Sequence, residues 1–183
     1  MGRIDDLCRN YERFAALPWP DHLAGPQRVW FAVYDRMEER RLRVRLDEFQ
    51  IATARAGRKW RLCDLTDIFA EWMAGQEYRK TYFEEPGSLE SAMPEFLEFA
   101  TDRLRAELQQ ADVNTVVAVL GAASLFGFAR VSELMDAVKG SIPGRLLVFF
   151  PGEYETNNYR LLDARDGWNY LATPITATER TPT

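Results

Sequence analysis

Asn114-Thr-Val-Val-Ala-Val-Leu-Gly121 decides the fold class. Val116–Leu120 is apolar without a break and rich in β-branched side chains. It is bounded by Asn-Thr on one side and glycine on the other. A strand with one face in water alternates apolar and polar residues. An unbroken apolar run of this length reads as a strand covered on both faces. Leu146-Leu-Val-Phe-Phe150 repeats the pattern and stops at Pro151-Gly152; Arg28-Val-Trp-Phe-Ala-Val-Tyr34 repeats it up to Asp35. Lys59-Trp-Arg-Leu-Cys-Asp-Leu65 is a further, less apolar strand.

The stretches between these strands carry helical periodicity. Ile4, Leu7, Cys8, Tyr11, Phe14 and Ala15 predict an amphipathic helix over 3–17, stopped by Pro18-Trp19-Pro20. A single helix is expected over 37–56, with Leu42, Leu46, Phe49 and Ala56 on one stripe and Gly57 at its end. Thr66-Asp67 is read as the cap of a helix over 68–82 that buries Ile68, Phe69, Trp72 and Met73. A helical stretch opens at Ser88, is interrupted near Pro94 and runs to about Gln110. Another covers 130–139. Near the C-terminus, Tyr159–Asp163 and Tyr170–Thr173 read as short strands about a turn at 164–167. The expected fold is α/β: a single three-layer domain over 1–176, a mostly parallel sheet flanked by helices. An N-terminal helix and a C-terminal antiparallel hairpin complete it, and 177–183 form a flexible tail.

The chain has 183 residues and a net charge of −5, long enough to bury a core without disulfides or a structural metal. No apolar run approaches the roughly 20 residues of a membrane span, and the polar start carries no signal-peptide core. A cytoplasmic protein with no membrane association is expected. Cys8 and Cys63, the two cysteines, read as small buried hydrophobes; His22, the one histidine, reads as a solvent-facing loop residue. No zinc-ligand spacing exists, and no metal or cofactor is expected. Residues 36–61 hold nine basic residues against four acids. Arg40, Arg41, Arg43 and Arg45 are the candidate basic face there. They read either as a solvated helix face paired with Glu38, Glu39, Asp47 and Glu48, or as a contact for phosphates or an acidic protein.

Strand ends are where open α/β sheets gather ligands. Four loops are expected to converge there: Tyr34-Asp35, Asp64–Asp67, Gly121–Arg130 and Pro151–Asn158. The P-loop pattern is absent, and Gly121-Ala-Ala-Ser-Leu-Phe-Gly127 fails the nucleophile-elbow spacing. That loop reads as a packed turn sending Leu125, Phe126 and Phe128 into the core. Asp35, Asp64, Ser124, Arg130, Glu153 and Asn157 are the groups an enzyme or small-ligand binder would use. Glu153, Tyr154, Asn157, Asn158, Tyr159, Arg160 and Trp168 concentrate polar and aromatic groups near the C-terminus, with Arg165 and Asp166 close by. They form either a partner-binding surface or an internally satisfied cap over the strand ends.

Three blocks carry a resemblance: Ala24–Asp35, Gly121–Leu134 and Leu147–Leu171, the last including Pro-Gly-Glu-Tyr-Glu-Thr-Asn-Asn-Tyr-Arg-Leu-Leu-Asp. Over about 3–176 the chain resembles the BrxB family, a small component of BREX bacteriophage-exclusion systems. The resemblance implies a non-catalytic accessory or adaptor protein binding another component, with PglZ, an alkaline-phosphatase-like protein, as best candidate. It implies no catalytic residues and contact with DNA only indirectly or weakly. A nucleic-acid-binding subunit using 36–61 and an unrecognised enzyme or ligand binder at the strand ends are the alternatives.

Overall fold

A computed structural model of the chain describes residues 3–164 and 167–178. In chain order the helices are α1 (Arg3–Ala16), α2 (Glu39–Val44), α3 (Leu46–Arg55), α4 (Ile68–Ala74), α5 (Arg79–Glu84), α6 (Met93–Gln109) and α7 (Val131–Val138). The strands are β1 (Val29–Tyr34), β2 (Lys59–Asp64), β3 (Thr115–Leu120), β4 (Arg145–Glu155), β5 (Asn158–Leu161), β6 (Trp168–Asn169) and β7 (Thr173–Ile175). The main sheet has the order β2-β3-β4-β1-β7, and every neighbouring pair in it is parallel. β5 and β6 continue antiparallel from the far end of β4.

Helices cover both faces, as the apolar runs require. β1, β3 and the first part of β4 are buried at every position. One face packs Trp30, Ala32, Val116, Ala118, Leu147 and Phe149 against α1, α2 and α3. The other packs Phe31, Val117, Val119, Val148 and Phe150 against α4, α6 and α7. The connection from β1 to β2 runs through α2 and α3 on the first face, across β4 and β3. The return from β2 to β3 and β4 uses the second face. Motion in opposite directions on opposite faces is what a constant crossover hand demands.

Several sequence expectations change in detail. The helix expected over 37–56 is two helices that turn at Arg45, whose backbone leaves the helical region at φ −107°, ψ 12°. The turn aims the Arg45 side chain at Glu48 and Asp5. The helix expected over 68–82 ends at Ala74, because Gly75 follows. Glycine makes helix continuation costly, and a second helix restarts at Arg79. Thr66 and Asp67 do not cap α4 with their side chains; Asp64 instead accepts from the Thr66 backbone N–H at 2.9 Å. Phe126 does not enter the core: it is 43% exposed, while Leu125 is buried and Phe128 stacks on Phe69.

The C-terminal hairpin forms earlier in the chain than expected. β4 runs on to Glu155, and Thr156-Asn157, both at positive φ, make the two-residue turn into β5. The strand expected at Tyr170–Thr173 is instead Thr173–Ile175, and it lies parallel to β1 at the edge of the main sheet. Arg165, Asp166 and residues 179–183 of the expected tail lie outside the described residues.

Candidate functional site

Strand order creates one crevice at the carboxyl edge of the sheet. β1 leaves its end toward the α2–α3 face, whereas its neighbour β4 leaves toward the opposite face as the β4–β5 hairpin. Adjacent strands whose chains depart to opposite sides leave a gap between them. A cleft of about 760 Å³ occupies that position.

Its inner wall is apolar, with Leu7 of α1, Val33 of β1 and Leu162 after β5. Met37, on the turn following β1, stands at the mouth and is 83% exposed. Three ion pairs stand at the cleft. Arg36 Nη1 lies 2.8 Å from Asp163 Oδ2, Arg160 Nη2 3.3 Å from Glu153 Oε2, and Arg3 Nη1 3.9 Å from Asp35 Oδ2. The Arg36 guanidinium holds the Asp163 carboxyl below its ordinary range. All six side chains are at least 40% exposed, so these pairs tie the lining together weakly and are free to exchange partners. Asp35 also accepts from the Met37 backbone N–H at 2.9 Å, which fixes the turn carrying Met37.

The β4–β5 hairpin splits its residues between two jobs. Tyr154, Tyr159 and Trp168 occupy paired positions across β4, β5 and β6 and share the inner face. Tyr159 is fully buried, packs on Phe31 and Phe150, and donates its hydroxyl to Ala172 O at 2.8 Å. Burial drives its hydroxyl pKa far up. Trp168 packs edge-on against Phe31 and Phe150. Glu153 pairs with Arg160 and Glu155 with Asn158 on the outer face, where all but the half-buried Arg160 are exposed. Tyr154 lies at the boundary, tilted on Tyr159 and donating to exposed Asn157 at 2.9 Å. The inner half therefore anchors the outer half against the sheet.

The other strand-end candidates serve the fold. Ser124 Oγ donates to Thr66 O at 2.8 Å, which locks the loop after β3 to the loop after β2. Asp64 accepts within its own turn, and Arg130 stands at the start of α7, where its backbone N–H meets Glu133. Among the described residues no group of three or more His, Cys, Asp and Glu is placed to hold a metal ion. Cys8 and Cys63 are buried and unbridged, and burial raises both thiols to about 12. His22 is exposed.

The basic segment is knitted internally. Arg41 faces Asp5 and Glu38, and Arg45 reaches Asp5 and Glu48. Arg43 bridges Glu39 at 2.7 Å to Thr66 Oγ1 at 3.0 Å, while Glu39 accepts from the Tyr34 hydroxyl. Arg43 thus ties the end of β1 to the end of β2. Arg40 is exposed and makes no ion pair among the described residues. Arg3, Arg36 and Met37 escaped sequence reasoning because their place at the cleft follows from β1 lying beside β4, which no local pattern encodes.

Comparison with family models, curated proteins and solved structures gives no match for this chain. Among the described residues no helix is long and apolar enough to cross a membrane.

Proposed function

We propose that this chain is an adaptor without catalytic chemistry of its own, docking a segment of a partner protein in the cleft between β1 and β4. The observation that carries the reading is the cleft itself: apolar inside, marked by exposed Met37 at its mouth, and lined by loosely held ion pairs. Apolar centres with polar rims are the anatomy of protein interfaces. The outer face of the hairpin supplies Glu153, Glu155, Asn158 and Arg160 as adjustable polar contacts on a rigid support. The setting implied by the resemblance is a BREX-type phage-defence assembly, with PglZ as partner. The nucleic-acid alternative loses support because Arg41, Arg43 and Arg45 are already paired.

Co-purification of a tagged copy with the products of its operon tests this. Met37→Glu with Arg160→Glu is expected to abolish capture of PglZ while leaving the thermal midpoint within about two degrees, because both residues touch solvent. Arg40→Glu is expected to leave capture intact. Undiminished capture by the Met37/Arg160 double variant would refute the cleft as the docking site.

A further inference from the structure

The opposite, amino-terminal edge of the sheet gathers three arginines, Arg28, Arg58 and Arg145, that make no ion pair among the described residues. Register places Arg28 beside Arg145, one step before the Val29–Leu146 pair, and Arg145 beside Val116. Arg58 immediately precedes β2, where Lys59 meets Thr115 of β3. Trp19, in the loop after α1, covers this edge. Its indole centroid lies 4.0 Å from Arg58 Cζ and 4.9 Å from Arg145 Cζ.

None of these three arginines makes an ion pair among the described residues, although Arg55, Lys59 and Arg61 nearby all do. Arg28 is used up by backbone, donating to the carbonyls of Asp21, Leu23, Ile142 and Pro143. Arg145 is only 4% exposed, and its guanidinium donates to Gly144 O at 3.0 Å. Burial and the positive charges of Arg28 and Arg58, opposed only by Asp21, lower it to about 10. Arg58 donates to Asn114 and, at 3.5 Å, to Leu17 O. Its Nε is buried without a partner, and so is the Trp19 indole Nε1. Both atoms are donors only, and buried donors call for an acceptor. A buried guanidinium likewise calls for an anion.

We propose that this edge is a binding site for an oxyanion of the phosphate class, held by Arg58, Arg145 and the indole N–H of Trp19, with Arg28 adding charge from behind. A phosphate offers several acceptor oxygens and up to two negative charges, which suits a cluster of guanidiniums better than a single carboxylate does. The site lies at the far edge of the sheet from the docking cleft and stands or falls separately from it.

Titration of the full chain with inorganic phosphate, against chloride at equal ionic strength, tests the proposal through the Trp19 indole N–H resonance and the thermal midpoint. Phosphate is expected to shift that resonance saturably and to raise the midpoint by several degrees; chloride is expected to do neither. Arg58→Gln should weaken phosphate at least tenfold. Arg58→Lys keeps the charge but loses the fork, so it should fall between, and it replaces Arg58→Gln as the test if that variant does not fold. Arg130→Gln, on an exposed arginine elsewhere, should bind like the parent. A parallel titration with glycerol phosphate reports the source: tighter binding than inorganic phosphate means a phosphate carried on a larger molecule, and equal or weaker binding means free phosphate. An unresponsive Trp19 resonance, or equal phosphate affinity in the Arg58 variants, overturns the site.

Discussion

Tyr159 and Tyr154 stand opposite one another in the hairpin and do different work. The Tyr159 hydroxyl is buried with the Ala172 carbonyl as its acceptor, and removal of the hydroxyl strands that carbonyl out of reach of water. Tyr159→Phe is therefore expected to cost about 1–2 kcal/mol in urea unfolding. Tyr154→Phe removes a bond to exposed Asn157, which water replaces, and should stay within about 0.5 kcal/mol. Equal losses in the two variants would mean that the hairpin has no inner and outer side. From sequence, the two tyrosines belong to one polar-aromatic run, because the period of a strand shows which residues share a face but not which face is covered. Phe31 and Phe150, far off in sequence, decide it.

Elements whose identity rests on composition were legible: the buried runs of β1, β3 and β4, the amphipathic α1, and the glycine stop after α3. Breaks inside helices were not. The turn at Arg45 goes with a tertiary ion pair to Asp5 of α1, which local propensity cannot express; the pair to Glu48 is local and joins it only once the chain has turned. Loops follow the same division, and glycine shows it. Gly57 and Gly121 both have positive φ, 73° and 82°. A Cβ at Gly57 would meet nothing within 4 Å, whereas one at Gly121 would lie 2.6 Å from the backbone N of Thr66. Gly57→Ala should cost about 1–2 kcal/mol for the left-handed backbone alone. Gly121→Ala adds an overlap with backbone that cannot move aside, and about 2–4 kcal/mol is expected. At 2–4 °C per kcal/mol, thermal melts separate the two variants. Indistinguishable midpoints would mean that the loops after β2 and β3 are not packed together as Ser124 and Thr66 imply.

At the scale of the molecule, the candidate cleft was half legible. The carboxyl edge of the sheet was expected to bring four loops together. It brings two together as an open cleft, at β1 and β4, ties the loops after β2 and β3 to each other through Ser124 and Thr66, and leaves a second cleft of about 530 Å³ between Phe126–Glu133 and the residues around β5 and β6. Strand order makes the difference, and strand order is a property of long-range pairing. The same pairing gives β7 a weight beyond its length. It lies parallel to β1, closes that edge of the sheet, and puts Ile175 into the core at 1% exposed. Asn10 of α1 clamps the chain just past it, donating to Thr176 O at 2.7 Å. Pro174 lacks an N–H and is tolerated because β7 is an edge strand. A chain ended after Leu171 loses Ile175, worth about 3 kcal/mol of burial. It also loses the acceptor for Tyr159 and the cover over the edge of β1. That sum is a large share of the roughly 5–15 kcal/mol that holds a domain folded. The shortened chain is expected to melt at least 10 °C lower or to aggregate through the bared β1, as read by calorimetry and light scattering. Pro174→Ala, which leaves the pairing in place, is expected to melt within about two degrees of the parent. A truncated chain that stays monomeric with the parent's midpoint would show that β7 does not belong to the sheet.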